Sequence, residues 1–110
     1  MQSALLFIER KKNMKVIISQ PMRGKSLEQI QEERKGLIED LENQGYEVVD
    51  TILKEKAPAE CDAPVYYLAK SIEIMSEVDG VVFMPGWENA RGCRIEHQVA
   101  CAYSKFIKYI

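Results

Sequence analysis

Four short apolar runs, separated by stretches of helical periodicity, constrain the fold more than any other feature of this sequence. The runs are KVIIS at 15–19, YEVVD at 46–50, GVVFM at 80–84 and FIKYI at 106–110. Continuous runs of this length that are rich in Val and Ile are typical of parallel strands buried on both faces. The pattern therefore predicts an α/β domain in which each strand is followed by a crossover helix.

The stretches between the runs carry helix signals. Ser26 with Gln29 forms a capping-box pattern, and Gly45 stands where the first helix should end. Asp62 followed by Pro64 predicts the start of a second helix, and a third is expected from about Gly92 to Ser104. The loop over 51–63 has no periodic pattern. The expected buried faces are Leu27, Ile30, Leu37, Ile38 and Leu41; Val65, Leu68, Ile72 and Met75; and Ile95, Val99 and Ala102.

This order of elements predicts a three-layer αβα sandwich that is flavodoxin-like or Rossmann-like, with a four-stranded parallel sheet in the order 2-1-3-4. In such sheets, ligands bind beyond the carboxyl ends of the strands, where the strand order reverses. That point lies between the first and third strands. The loops that leave it are SQPMRG at 19–24 and PGWENARG at 85–92, the two most unusual segments of the chain.

Composition limits the function classes. A chain of 110 residues with a net charge of −2 indicates one domain and gives no electrostatic case for binding nucleic acid or a membrane. Three cysteines without a CxxC spacing suggest reduced thiols in a cytoplasmic protein, and a single histidine argues against a metal site. Neither loop has the glycine spacing of a Walker or dinucleotide motif, so no cofactor is expected.

The first thirteen residues, MQSALLFIERKKN, stand apart from this pattern because Met14 immediately precedes the first strand. We expect residues 1–13 to be a translated leader and the domain to span 14–110. The alternative is a genuine extra strand or arm formed by ALLFIE.

The SQPMRG loop has the residues of an anion-binding turn. Ser19 offers a hydroxyl, Pro21 fixes the turn and Gly24 allows a close backbone approach. Arg23 could pair with a phosphate or carboxylate beside the free N–H groups of the next helix. The alternative is a plain connection with a solvated arginine.

The PGWENARG loop and the helix after it supply the other candidates. Trp87, the only tryptophan, could stack on a flat base or instead form a lid over the sheet edge. Glu96 lies near the positive end of a helix dipole and should stay ionised, either as a nucleophile at a sugar carbon or as a solvated surface residue. His97 is expected at a surface or interface. Asp79 precedes the third strand, which puts it at the opposite edge.

KVIISQPMRG and EVDGVVFMPGWENARGCRIEHQVACAY, with the spacing between them, resemble the nucleoside 2-deoxyribosyltransferase-like superfamily, and most closely its branch of small bacterial and phage proteins. The resemblance covers nearly all of 14–110. It implies cleavage of the N-glycosidic bond of a deoxynucleoside or its 5′-monophosphate, with transfer of the sugar to another base or to water. GCRIE matches a G-x-x-x-E motif, which makes Glu96 the nucleophile. Ser19 and the MRG of Met22, Arg23 and Gly24 resemble a phosphate-holding turn.

Two positions depart from the family pattern. Ser71 stands where the family usually has an acid that helps to protonate the leaving base, and the nearby Glu73 is two residues away. Gln20 stands where the family usually has glycine. A missing acid affects glycosidic cleavage more than nucleotide binding.

These observations favour an enzyme of nucleotide metabolism, and the resemblance implies a homo-oligomer. Its substrate would be held by Ser19, Pro21, Met22, Arg23 and Gly24 from one loop, and by Gly86, Trp87, Arg91 and Gly92 from the other. One alternative is a protein that binds a nucleotide or an ADP-ribose-like ligand without turnover, as a sensor or sequestering protein. Another is a scaffold whose site has decayed.

Overall fold

The computed structural model describes residues 14–51 and 56–110, which form a four-stranded sheet flanked by three helices. All strands are parallel in the order β2-β1-β3-β4, which confirms the predicted α/β sandwich and its topology. In chain order the elements are β1 Lys15–Ser19, α1 Leu27–Asn43, β2 Glu47–Val48, α2 Ala63–Met75, β3 Gly80–Phe83, a 3-10 turn Trp87–Asn89, α3 Arg91–Ala102 and β4 Phe106–Tyr109.

The helix starts follow the local sequence signals. The Ser26 hydroxyl accepts a hydrogen bond from the Gln29 N–H at 3.1 Å, and the Gln29 side chain accepts one from the Ser26 N–H at 2.8 Å. Asp62 caps α2 by accepting from the Val65 N–H at 3.3 Å. These caps confirm both predicted helix starts, because they satisfy N–H groups that a helix cannot pair internally.

The core lies on both faces of the sheet. Successive side chains of β1 and β3 point to opposite faces, so each strand contributes to two clusters. One cluster holds Val16, Ile18, Leu41 and Val82, and the other holds Ile17, Met75, Val78, Val81, Phe83 and Ala100. The two central strands are buried on both sides, as their unbroken apolar runs predict.

The predicted helix faces are only partly right. Leu27 and Val65 are 58% and 59% exposed, and Ala102 is exposed. The helices are longer than the strands they cover: the 17 residues of α1 extend about 25 Å, whereas the five of β1 extend about 17 Å. The ends of the helices therefore project past the sheet. β2 is also shorter than the predicted 46–50.

Some expectations concern residues outside those described. The leader or arm at 1–13 and part of the loop at 51–63 belong to this group. Within 14–51 and 56–110, no helix combines the length and apolar character needed to cross a membrane.

Candidate functional site

The two unusual loops meet at the carboxyl edge of the sheet, where β1 and β3 lie side by side. Gly24 and Gly86 have φ angles of +78° and +89°, in the left-handed region that favours glycine. A Cβ atom added at Gly86 would lie 3.6 Å from Cγ of Pro21, so the loops are in van der Waals reach of each other. The edge predicted from the strand order therefore carries both loops.

Glu96 is a buried carboxylate at this edge, with 8% of its surface exposed. The Ser19 hydroxyl at the end of β1 donates a hydrogen bond of 2.7 Å to Oε1 of Glu96. The Ser71 hydroxyl on α2 donates a second, short hydrogen bond to Oε2. Side chains from β1 and α2 thus converge on the carboxylate of Glu96 on α3 and fix its orientation.

Burial raises the pKa of Glu96, while the hydrogen bonds from Ser71 and Ser19 and the charge of Arg34 act in the opposite direction. The raised pKa differs from the expectation that the helix dipole alone would set the charge of this group, because Glu96 lies in the second turn of α3 and out of water. Cys93 stands one turn earlier on the same face of α3. Burial raises the pKa of its thiol, the Ser19 hydroxyl lowers it, and the charge of Glu96 raises it further.

Arg34 and Gln20 form a second buried polar group beneath the SQPMRG loop. Arg34 Nε donates to Oε1 of Gln20 at 3.0 Å, and its Nη1 donates to Oδ1 of Asp50 at 3.0 Å. Gln20 in turn donates to the carbonyl of Ile30 at 3.0 Å. Gln20 therefore ties the SQPMRG loop to α1.

The remaining residues of the SQPMRG loop are more exposed. Lys25 donates its N–H to the carbonyl of Met22 at 3.1 Å, which closes a turn with Arg23 and Gly24 at its centre. Met22, Arg23 and Gly24 are exposed and Pro21 is half-buried. The structure thus brings Ser19 to Glu96 and leaves the Arg23 guanidinium at the surface of the same loop.

Trp87 is half-buried and belongs to an aromatic cluster. Its ring stacks on His97 with centroids 4.2 Å apart, lies 5.8 Å from Tyr109 and packs on Phe83 at 5.2 Å. His97 Nε2 lies 2.6 Å from the Tyr109 hydroxyl. One side of the indole is therefore occupied by His97.

Arg91 and Gly92 are exposed and open α3. The N-cap residue Ala90 makes no side-chain hydrogen bond to the helix. The first N–H groups of α3 therefore lack a side-chain cap at this end, which lies beside the loop that carries Trp87.

The sequence interpretation overlooked the buried Arg34 and Cys93 and the contact of the half-buried Ser71, although the helical phase contained the signal. Arg34 falls between Ile30 and Leu41 on the apolar face of α1, and Cys93 precedes Glu96 by three residues. Ser71 stands four residues before the buried Met75. A polar residue in the apolar phase of a helix marks a buried polar contact.

The site can orient an ionised carboxylate and offer hydroxyl and N–H donors around it. Among the described residues, no group of three His, Cys, Asp or Glu side chains is placed to hold a metal ion. A family model with the description "Domain of unknown function (DUF4406)" matches residues 14–109. No curated protein and no solved structure matches the chain.

Proposed function

Because the chain belongs to the DUF4406 family, whose description names no activity, we propose its function from the site: cleavage of the N-glycosidic bond of a deoxynucleoside or its 5′-monophosphate. Glu96 attacks the anomeric carbon, and the sugar passes to water or to another base. The sequence resemblance to the nucleoside 2-deoxyribosyltransferase-like superfamily suggested this chemistry, and the geometry of Glu96 is compatible with it.

The observation that carries the proposal is the double hydroxyl contact of Glu96. A carboxylate nucleophile must present one oxygen to a carbon atom and keep its orientation during the attack. Ser19 and Ser71 each bond one oxygen of Glu96, and each oxygen retains a further lone pair. A glutamate that served only solubility would lie in water rather than 8% exposed beneath two serines.

In this proposal each of the two loops binds a different part of the substrate. Arg23, with the turn of Pro21, Met22 and Gly24, holds the anionic 5′ end, since its guanidinium is exposed at the same edge. Ser19 has a different task from the one suggested by the phosphate-holding turn, because its single hydroxyl proton is donated to Glu96.

The other loop borders the base and sugar in this proposal. Gly86, Arg91 and Gly92 line that side, with Trp87 offering its ring edge or outer face. The uncapped first turn of α3 supplies further N–H donors.

The test is incubation of the purified protein with a panel of deoxynucleosides and their monophosphates, followed by chromatography for free base. Glu96→Gln should abolish release, whereas Glu73→Gln, which changes an exposed glutamate on α2, should not. Release of no base from any substrate at high protein concentration would refute the enzyme proposal.

A second candidate is a protein that binds a nucleotide or an ADP-ribose-like ligand without turnover. The observation that favours it is Ser71, because a hydroxyl stands where the related enzymes carry an acid. A ligand present at 100 times its dissociation constant should stabilise the fold by about 2.7 kcal/mol. A thermal shift with a nucleotide that yields no base supports this candidate, and no shift with any nucleotide argues against it.

We also propose that the protein acts in the cytoplasm as a homo-oligomer. All three cysteines are free, as expected for a reducing compartment, and Val65 and Tyr67 expose 59% and 39% of their surface on α2. Light scattering should give a mass of two or more chains, and a monomer across a range of concentrations would contradict the proposal.

A further inference from the structure

The contact between Ser71 and Glu96 bears on which bases can leave from this site. When the bond between C1′ and a neutral base breaks, the electron pair moves onto the base, which must then be protonated. A positioned acid contributes about 10² to 10⁴ in rate to such a step. Ser71 offers a hydroxyl in place of an acid, and that hydroxyl donates its proton to Oε2 of Glu96.

Among the described residues, the other groups around Glu96 do not replace the acid. Within that part of the chain, Glu96 accepts hydrogen bonds from the hydroxyls of Ser19 and Ser71, and the guanidinium of Arg34 acts on its charge. The nearby Cys93 thiol has a pKa raised by burial, which makes it a weaker acid than an ordinary thiol. Glu73, two residues from Ser71, is exposed and pairs with Lys70 at 3.8 Å.

We infer that the site takes nucleosides or nucleotides whose base is a cationic ring, such as an N-glycosylated pyridinium or an N7-alkylated purine. This inference rests on the function proposed above and specifies its substrate class. A cationic ring needs no acid, because the departing electron pair neutralises the positive charge of its ring and the base leaves as a neutral molecule.

The bonds and charges of this reaction balance without a second catalytic group. An oxygen of Glu96 forms a bond to C1′ while the C1′–N bond breaks, and its electron pair stays on the ring nitrogen. Water then forms a bond to C1′, the ester bond to Glu96 breaks, and its electron pair restores the carboxylate. The water molecule gives its second hydrogen to the sugar hydroxyl and releases one proton, so each turnover acidifies the medium by one proton.

The charge distribution of the site favours a cation. Glu96 is buried, which makes its negative charge costly, and the charge of Arg34 offsets only part of that cost. The positive charge of Arg34 is shared with Asp50, whose carboxylate lies 3.0 Å from Nη1. A cationic ring beside Glu96 therefore stabilises the carboxylate electrostatically and compensates for the hydration that it loses on burial. A neutral base cannot do this to the same extent.

Two substrate pairs that differ in the charge of the base test this inference. They are the 2′-deoxy form of nicotinamide mononucleotide against its reduced dihydro form, and 7-methyl-2′-deoxyguanosine against 2′-deoxyguanosine. We expect base and one proton to be released from the cationic member of each pair at least about 100-fold faster than from the neutral member, after subtraction of the rate with Glu96→Gln. Comparable rates within both pairs would overturn the inference while leaving glycosidic cleavage intact. Cleavage of neither member, nor of the deoxynucleoside panel, would refute the proposed function and the inference with it.

A gain-of-function variant tests the role of Ser71 directly. Ser71→Asp places a second carboxyl beside Glu96, and two adjacent carboxyls hold a proton between them because both cannot ionise easily. We expect it to raise 2′-deoxyguanosine cleavage by about 10-fold or more relative to 7-methyl-2′-deoxyguanosine. The matched control is Ser76→Asp, which introduces the same side chain at an exposed position after α2 and should leave the ratio unchanged. An unchanged ratio in a folded Ser71→Asp protein would contradict the assigned role of Ser71.

Discussion

Replacement of Ser19 by alanine isolates the contact that orients Glu96. The Ser19 hydroxyl donates to Oε1 of Glu96 at 2.7 Å, and both residues are buried. A hydrogen bond to a charged group contributes about 1.5–3 kcal/mol, and its loss leaves a buried oxygen without that partner. Ser19→Ala should therefore lower the free energy of unfolding by about 1.5–3 kcal/mol at a pH where Glu96 is ionised.

The pH dependence of this loss identifies its cause. Ser19 lowers the pKa of Glu96, so its removal raises that pKa and penalises the ionised form. The loss of stability should grow as the pH rises through the range in which Glu96 ionises, and it should be smallest at about pH 4, near the pKa of an unperturbed glutamate. Ser19→Ala should in turn show a smaller stability difference from the wild type in acid than at about pH 8.

Urea denaturation followed by the fluorescence of the only tryptophan, Trp87, measures this effect, because its ring packs on Phe83 in the core. The matched control is Ser76→Ala, which removes an exposed hydroxyl that donates to the uncharged carbonyl of Glu73 at 2.6 Å and should change stability by the same amount at both pH values. An equal loss for Ser19→Ala at both pH values would show that packing, and not the charge of Glu96, is responsible.

Three further predictions follow from burial and close contacts. Gly80→Ala should destabilise the fold by about 1–3 kcal/mol, since its Cβ would lie 2.6 Å from the carbonyl oxygen of Phe106. Gly36→Ala should stabilise the fold by about 0.5–1 kcal/mol, because Gly36 is in mid-helix and a Cβ there would have nothing within 4 Å. Stability changes of the same sign in urea denaturation would contradict this. Glu96→Gln should increase the free energy of unfolding relative to the wild type, and by more at neutral pH than in acid. Because the pKa of Glu96 is raised in the folded protein, wild-type stability falls as the pH rises above the pKa of an unfolded glutamate. Thermal scans of both proteins at both pH values measure this difference. Cys93 should react with iodoacetamide more slowly than the two exposed cysteines in the folded protein, and at the same rate in urea, as mass spectrometry of the labelled peptides would report.

The fold could be predicted because its determinants are local and repeated. Runs such as KVIIS can be buried on both faces only in a covered parallel sheet, and the caps at Ser26 and Asp62 fix where the helices begin. The extent of burial along each helix could not be predicted in the same way. It depends on how far a helix projects beyond short strands, and β2 has only two residues. Leu27 and Val65 have the right periodicity but stand in the first turn of their helices, where they are exposed.

For the site, the sequence predicts the location but not the contacts between side chains. The edge of the sheet where the two loops meet could be predicted from the strand order, because the carboxyl ends of adjacent parallel strands meet at one place, and Glu96 lies at that edge. The partners of Glu96 could not, since Ser71 and Ser19 are 52 positions apart in the chain and a hydroxyl has no distinctive sequence context. Arg34 was missed for a related reason. Its burial depends on Gln20 and Asp50, which reach it from two different strand ends.

Glu96 does not stabilise the fold when it is ionised. A carboxylate with a pKa raised by burial lowers stability whenever it is ionised, and Ser19, Ser71 and Arg34 offset only part of that cost. An apolar residue at this position could fill the same space beside Cys93 and Ala100 without the penalty. If Glu96 had a structural role alone, Glu96→Gln and Glu96→Leu would lower stability at neutral pH. If the proposed chemistry is its role, both variants keep or gain stability and lose base release, and that opposition between stability and activity is measurable on a single pair of proteins.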